Sequence, residues 1–198
     1  AAAATVVAVS AHAAPSPSRT RNVIGTVKVK DGTELFVRDW GSGGRPVILT
    51  HAWPLSSDCW EQQAIALIDA GYRVISYDRR GFGRSSQPAN GYDYNTYADD
   101  LAEVIQATGV KDTTLIGFSM GGGEVVRYVS RHGQDALHSV VFAAAVPPFL
   151  LKTDDNPRGI DGSVFDGMIA GVKADRVGFL ANFFPAFYNA DAGTLGAD

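Results

Sequence analysis

The residues best suited to chemistry are Gly117-Phe118-Ser119-Met120-Gly121, a G-x-S-x-G pentapeptide continued by Gly122 and Gly123. It follows a β-type apolar run and opens a helix-like one, the setting in which such a serine sits on a sharp turn with its hydroxyl exposed. Small residues two before and two after the serine let strand and helix pass closely, and the helix N-terminus behind it favours developing negative charge. The chemistry implied is nucleophilic attack by Ser119 and a covalent intermediate. A glycine-rich phosphate loop is the competing reading; it asks for G-K-[S/T] or G-x-G-x-x-G, and neither fits. A second loop, His51-Ala52-Trp53-Pro54, directly follows the apolar run Val47 to Thr50. At the same sheet edge it can offer a backbone N–H, with Trp53 as the candidate donor, to join that of Met120 in an oxyanion hole. This asks the loop only for an amide, so the His51 side chain is read as packing.

A serine nucleophile needs a base held by an acid, and in this strand–turn–helix setting the chain order is Ser, then Asp or Glu, then His. Only His132 and His138 follow Ser119. His132 lies more than three turns along the helix, about 20 Å away at roughly 1.5 Å per residue. His138 opens the next strand, at the sheet edge opposite Ser119. His51 is at the right edge but would reverse the order. Acid and base are therefore expected beyond residue 198, on two further strands and helices of about 60 residues. The 198-residue chain alone is expected to be inactive.

The elements that must position these groups are legible from periodicity. Val27 to Lys30 and Leu35 to Asp39 alternate about Asp31-Gly32, a hairpin signal and an antiparallel start. Pro46 to Thr50 reads as a strand buried on both faces. Trp60, Ala64, Leu67 and Ile68 make a helix capped by Ser57 or Asp58 and stopped at Gly71. Arg73 to Tyr77 is the next strand. Tyr97, Leu101, Val104 and Ile105 make another helix, opened by Thr96 with Asp99 as a capping box and closed by Gly109. Thr113 to Gly117 is a strand. A helix from Met120 to His132 carries Val125, Val126 and Val129 on one stripe and stops at Gly133, and His138 to Ala143 is a further strand. This alternation gives an α/β fold with a mostly parallel sheet. Beyond Pro147 the stretches Val164 to Lys173 and Arg176 to Phe184 read as a partial helical lid.

Composition bounds the remainder. The 198 residues are 45% hydrophobic and 19% charged, with 17 Lys+Arg against 21 Asp+Glu and a net charge of −4. One core is affordable, while disorder, nucleic acid and anionic membranes are argued against. No run reaches the roughly 18 apolar residues of a membrane span. The single Cys59 forms no intrachain disulfide and reads as a packed thiol, and four scattered histidines have no zinc spacing, so no metal is expected. Three divisions are expected: residues 1–21 as leader and linker, 22–146 as the catalytic core and 147–198 as the lid segment. The first fourteen residues resemble the tail of a signal peptide with Ala11-His12-Ala13 as cleavage site but without a basic n-region. Export to the periplasm or medium is one reading, a cytoplasmic protein with an Ala-rich leader the other.

The stretches GFSMGGGEVVRY around Ser119, YDRRGFGRSSQP from Tyr77 to Pro88, HAWPLSSDCW from His51 to Trp60 and AVPP at Ala145 to Pro148 resemble the cofactor-free bacterial haloperoxidases of the α/β-hydrolase superfamily. The likeness runs from about Val23 to Asn189. It implies an α/β-hydrolase fold lacking its last strands, and a serine esterase of small esters that also perhydrolyses. Its partners would be an ester or carboxylic acid, hydrogen peroxide and halide, with no cofactor. It makes Ser119 the nucleophile, Trp53 and Met120 the oxyanion amides, and the segment after Pro148 a lid over the acyl pocket. Ala52 stands where that family usually has glycine, so its methyl group bears on the loop carrying Trp53. Phe179, Phe183, Phe184, Phe187 and Tyr188 either face an acyl chain, with Phe183 and Phe184 beside Trp53 as substrate contacts, or form the lid's own core. Asp78-Arg79-Arg80 is read as a structural anchor of its turn. The alternatives are another member of the fold (lipase, lactonase or C–C hydrolase) or an inactive fragment or binding module.

Overall fold

The alternation about Asp31-Gly32 closes a hairpin: β1 (Thr26–Lys28) and β2 (Glu34–Asp39) pair antiparallel. The Thr33 N–H donates to the Asp31 carboxylate at 2.9 Å and holds the turn. β3 (Pro46–Thr50), β4 (Arg73–Tyr77), β5 (Thr113–Phe118) and β6 (Leu137–Ala143) are mutually parallel, and β2 runs antiparallel to β4. The sheet order is β1-β2-β4-β3-β5-β6. The computed structural model describes residues 25–41, 43–146 and 149–190. The candidate leader and linker (1–21), the first three residues of the expected core, Pro147-Pro148 and the last eight residues of the expected lid segment lie outside the described residues.

β3 and β4 are buried along nearly their whole length because both sheet faces are covered. Ile48 and Ile75 join Leu101, Val104, Leu115, Val125 and Tyr128 on one face, while Val47, Leu49 and Val74 pack with Trp60 and Ala64 on the other. The first face is covered by α2 (Tyr94–Thr108) and α3 (Met120–His132), the second by a 3₁₀ turn (Ser57–Trp60) running into α1 (Glu61–Asp69). β6 is less covered, with Val141 and Phe142 44% and 54% exposed.

Three local expectations are corrected. α2 begins earlier than expected: the Asp93 carboxylate accepts from the N–H groups of Asn95 and Thr96, so Thr96 lies inside the helix and no Thr96–Asp99 box forms. Asp99 instead pairs with Arg131 and His132 of α3. The turn before α1 is capped by Ser56, not Ser57 or Asp58, because Ser57 is taken by Asp78. Val126 is 40% exposed, and the inward face of α3 is Glu124, Val125 and Tyr128. By contrast Gly109, with φ 64°, ends α2 as read.

The described residues divide between Pro148 and Phe149 into two units. The second contains α4 (Gly162–Ala174), capped by Asp161, and α5 (Arg176–Phe187), capped by Asp175. Among the described residues no helix is long and apolar enough to cross a membrane.

Where β5 turns into α3 the backbones touch. A Cβ on Gly117 would lie 2.7 Å from the Gly121 carbonyl oxygen, and one on Gly121 would lie 2.4 Å from Thr50 Oγ1 and 2.5 Å from the Thr50 carbonyl oxygen. Because the obstacle is backbone, Gly121→Ala is expected to destabilise the core by about 1–3 kcal/mol or more. Gly167→Ala in α4, where a Cβ meets nothing within 4 Å, should stabilise its helix by about 0.4–1 kcal/mol. Urea unfolding monitored by circular dichroism separates the two, and a neutral Gly121→Ala would contradict the close approach.

Candidate active site

Ser119 links β5 to α3 with φ 51° and ψ −116°, a conformation that L-residues rarely hold. Three backbone bonds fix it: its N–H donates to the Ala143 carbonyl at 3.1 Å, and its carbonyl accepts from Val146 at 3.0 Å and Gly122 at 2.9 Å. β6 and the start of α3 thus clamp one residue from two sides. Met120 is the first residue of α3, so its N–H has no acceptor within the helix.

The parallel register Thr50↔Gly117 brings the His51–Trp53 loop out of β3 at the edge where Ser119 leaves β5. Thr50 Oγ1 donates to the Gly121 carbonyl at 3.1 Å, tying β3 to the first turn of α3. Ala52 is fully buried and lies outside the left-handed region, so no glycine is required there by backbone conformation. Ser119, Met120 and the Trp53 loop are thus brought to one edge. Phe183 and Phe184 lie on α5 in the second unit, half-buried, within an aromatic ladder of Phe179, Phe183, Phe184, Phe187 and Tyr188 whose neighbouring rings are 4.9–6.2 Å apart.

None of the described histidines is a base for Ser119. His132 pairs with Asp99 at 2.8 Å, at the far end of α3, and His138 pairs with Asp112 at 3.2 Å, at the start of β5. His51 is fully buried, its Nε2 accepts the Arg79 N–H at 3.0 Å, and its Nδ1 lies 2.9 Å from the Ala52 carbonyl. These contacts fix the tautomer, with the proton on Nδ1 and the Nε2 lone pair occupied. Burial first, and then the Arg79 guanidinium, push His51 down to about 3.

What the sequence reading missed is the charge buried beneath the site. Arg79 and Glu124 are 1% and 0% exposed and form an ion pair, with Arg79 Nε donating to Glu124 Oε2 at 2.8 Å. The Tyr77 hydroxyl donates to the other carboxylate oxygen. Burial opposes the Arg79 charge and Glu124 more than restores it. The guanidinium also lies 5.2 Å from the Tyr97 ring centroid and 5.8 Å from that of Phe82. The signal lay in α3: Glu124 precedes Tyr128 by one turn, a charge on the inward face that had to find a partner. Asp78 and Arg80 anchor the turn as read. Asp78 accepts from Ser57 and Arg84, and these bonds outweigh burial and hold its carboxyl at about 2. Arg80 grips Asp100 with two bonds of 2.6 Å and Asp31 with one of 2.7 Å. Cys59 is a packed thiol, pushed up to about 11 by burial. Among the described residues no group of three or more His, Cys, Asp or Glu is placed to hold a metal.

The family described as alpha/beta hydrolase fold matches residues 45–195, and the chain belongs to it. A non-heme chloroperoxidase of Kitasatospora aureofaciens is 46% identical over 162 residues, 82% of this chain and 58% of that protein. A bifunctional esterase/perhydrolase of Acinetobacter calcoaceticus is 45% identical, over 73% of this chain and 53% of its own. The crystal structure of bromoperoxidase from Bacillus anthracis superposes with a TM-score of 0.75 at 49% identity, covering 80% of this chain and 58% of that one. The chain therefore spans a little over half the length of these relatives, whose names agree with the haloperoxidase resemblance carried by its motifs.

The state of His51 sets an acid limit on stability. Unfolded, it takes up a proton below about 6.5; folded, it resists until about 3. In that window the unfolded chain binds more protons, so stability is complete above 6.5 and falls as pH drops, with a slope approaching about 1.4 kcal/mol per pH unit. Asp78 adds its own loss below 3.8. Urea midpoints between pH 7 and pH 5 should fall for the wild type and fall less for His51→Gln. Parallel pH profiles would contradict the buried neutral imidazole.

Proposed function

We propose that the whole protein is a serine esterase of small esters whose acyl-enzyme also reacts with hydrogen peroxide. The observation that carries this reading is the strained Ser119 turn, at the sheet edge where the Trp53 loop emerges. The esterase, perhydrolase and haloperoxidase names of the relatives support it. Ser119 Oγ attacks the ester carbonyl, and the amides of Trp53 and Met120 receive the negative charge of the tetrahedral intermediate. Expulsion of the alcohol leaves an acyl-serine. Water releases a carboxylic acid from it; hydrogen peroxide releases a peracid, and either restores the serine hydroxyl. The peracid oxidises a halide ion outside the site, giving hypohalous acid and carboxylate. Because each described histidine has another partner, the acid and the base are assigned to parts of the protein outside the described residues.

Ester hydrolysis and peroxide-dependent bromination share one acyl-enzyme in this scheme. Ser119→Ala in the whole protein should therefore abolish both together, each by at least about a thousandfold. The checks are hydrolysis of a short aryl ester and bromination of a phenol-type acceptor. Bromination that survived the substitution would demand another route to the oxidant.

A further inference from the structure

Arg79 takes no part in the proposed chemistry, yet it touches both sides of the oxyanion site. Its backbone N–H donates to His51 Nε2 at 3.0 Å, while from its side chain Nη2 donates to the His51 carbonyl at 3.0 Å and Nη1 lies 4.0 Å from Met120 Sδ. His51 is two residues before Trp53, and Glu124 is one helical turn after Met120. We infer that Arg79, held by Glu124, is a positioning residue that locks the loop carrying Trp53 to the helix that begins at Met120, so that the two amides converge on one oxyanion.

The geometry suits this role. The backbone N–H of Arg79 holds the His51 ring and its guanidinium holds the His51 carbonyl, so the side chain of Arg79 fixes the peptide plane leading to Ala52. Glu124 fixes the guanidinium in turn, and the Tyr77 hydroxyl occupies the other carboxylate oxygen, so the carboxylate is held as well. The rings of Phe82 and Tyr97 flank the cation. A planar fork bonded on two sides transmits position as a flexible ammonium does not. Misplacing a catalytic donor by about 1 Å costs on the order of a hundredfold in rate.

The inference rests on the reading of Ser119 as nucleophile, and the experiment separates the two. Wild type, Arg79→Lys and Glu124→Gln of the whole protein are titrated to completion with a fluorophosphonate, and kcat for a short aryl ester is expressed per labelled Ser119. For Arg79→Lys the expected result is a fall in kcat of about tenfold to a hundredfold with KM within about twofold of wild type. Affinity for a phenylboronic acid, which forms a tetrahedral adduct on the serine, should fall by the same factor. Glu124→Gln keeps the shape of the side chain and should move both quantities in the same direction by less, so the test stands even where Arg79→Lys fails to fold. A purely structural role would lower the melting temperature or the labelled fraction and leave kcat per labelled site and boronate affinity unchanged in both variants, and that result overturns the inference. Absence of label on wild-type Ser119 would instead remove the nucleophile reading, and this inference with it.

Discussion

Backbone meets backbone at the turn between β5 and α3, and the arrangement of the site follows from that contact. Gly117 and Gly121 leave no room for a side chain against α3 and Thr50, and Gly122 and Gly123 continue the close fit against Ala145 and Tyr94. The chain can turn this sharply only by placing Ser119 at φ 51°. Holding a non-glycine residue in such a region costs about 1–3 kcal/mol, which surrounding structure must offset. The hydrogen bond that the Ser119 N–H donates to Ala143, those its carbonyl accepts from Val146 and Gly122, and the parallel pairing of β5 with β3 and β6 supply that offset. The reward is a hydroxyl at the carboxyl edge of the sheet with a helix N-terminus behind it.

Buried charge does the second part of the work. The turn from Asp78 to Arg80 sends three charged side chains inward: Asp78 to Ser57 and Arg84, Arg79 to Glu124, and Arg80 to Asp100 and Asp31. Each links a different element to the end of β4. Removing one partner of such a pair typically costs about 3–5 kcal/mol because the other charge is left unpaired in the interior. The same turn fixes His51 as a neutral imidazole, which takes that histidine out of acid–base chemistry and makes it part of the scaffold.

Much of the fold was legible in the sequence because its periodicities are clean. Pro46 to Thr50 appears as a continuous apolar run because two helical layers cover it, Arg73 to Tyr77 follows as the next strand after a helical spacing, and Asp31-Gly32 marks the hairpin. The position of Ser119 was legible because the glycines around it have no substitute. Helix caps were less so: Asp93 and Thr96 at the start of α2, and Ser56 and Ser57 before α1, all belong to cap-forming residue types, and the choice within each pair depended on Asp99 being claimed by Arg131 and Ser57 by Asp78. The Arg79–Glu124 pair was hidden for the same reason. Its partners are 45 residues apart, and only the packing of α3 on the sheet brings them together.

The central claim is that Ser119 and the amides of Trp53 and Met120 form one site for a tetrahedral oxyanion. A crystal structure of the whole protein after reaction with an aryl phosphonate tests it directly. The adduct should sit on Ser119 Oγ, with one phosphonyl oxygen about 3 Å from the backbone nitrogens of both Trp53 and Met120. A phosphonyl oxygen turned to solvent, held by other donors, or an adduct on another residue would contradict it.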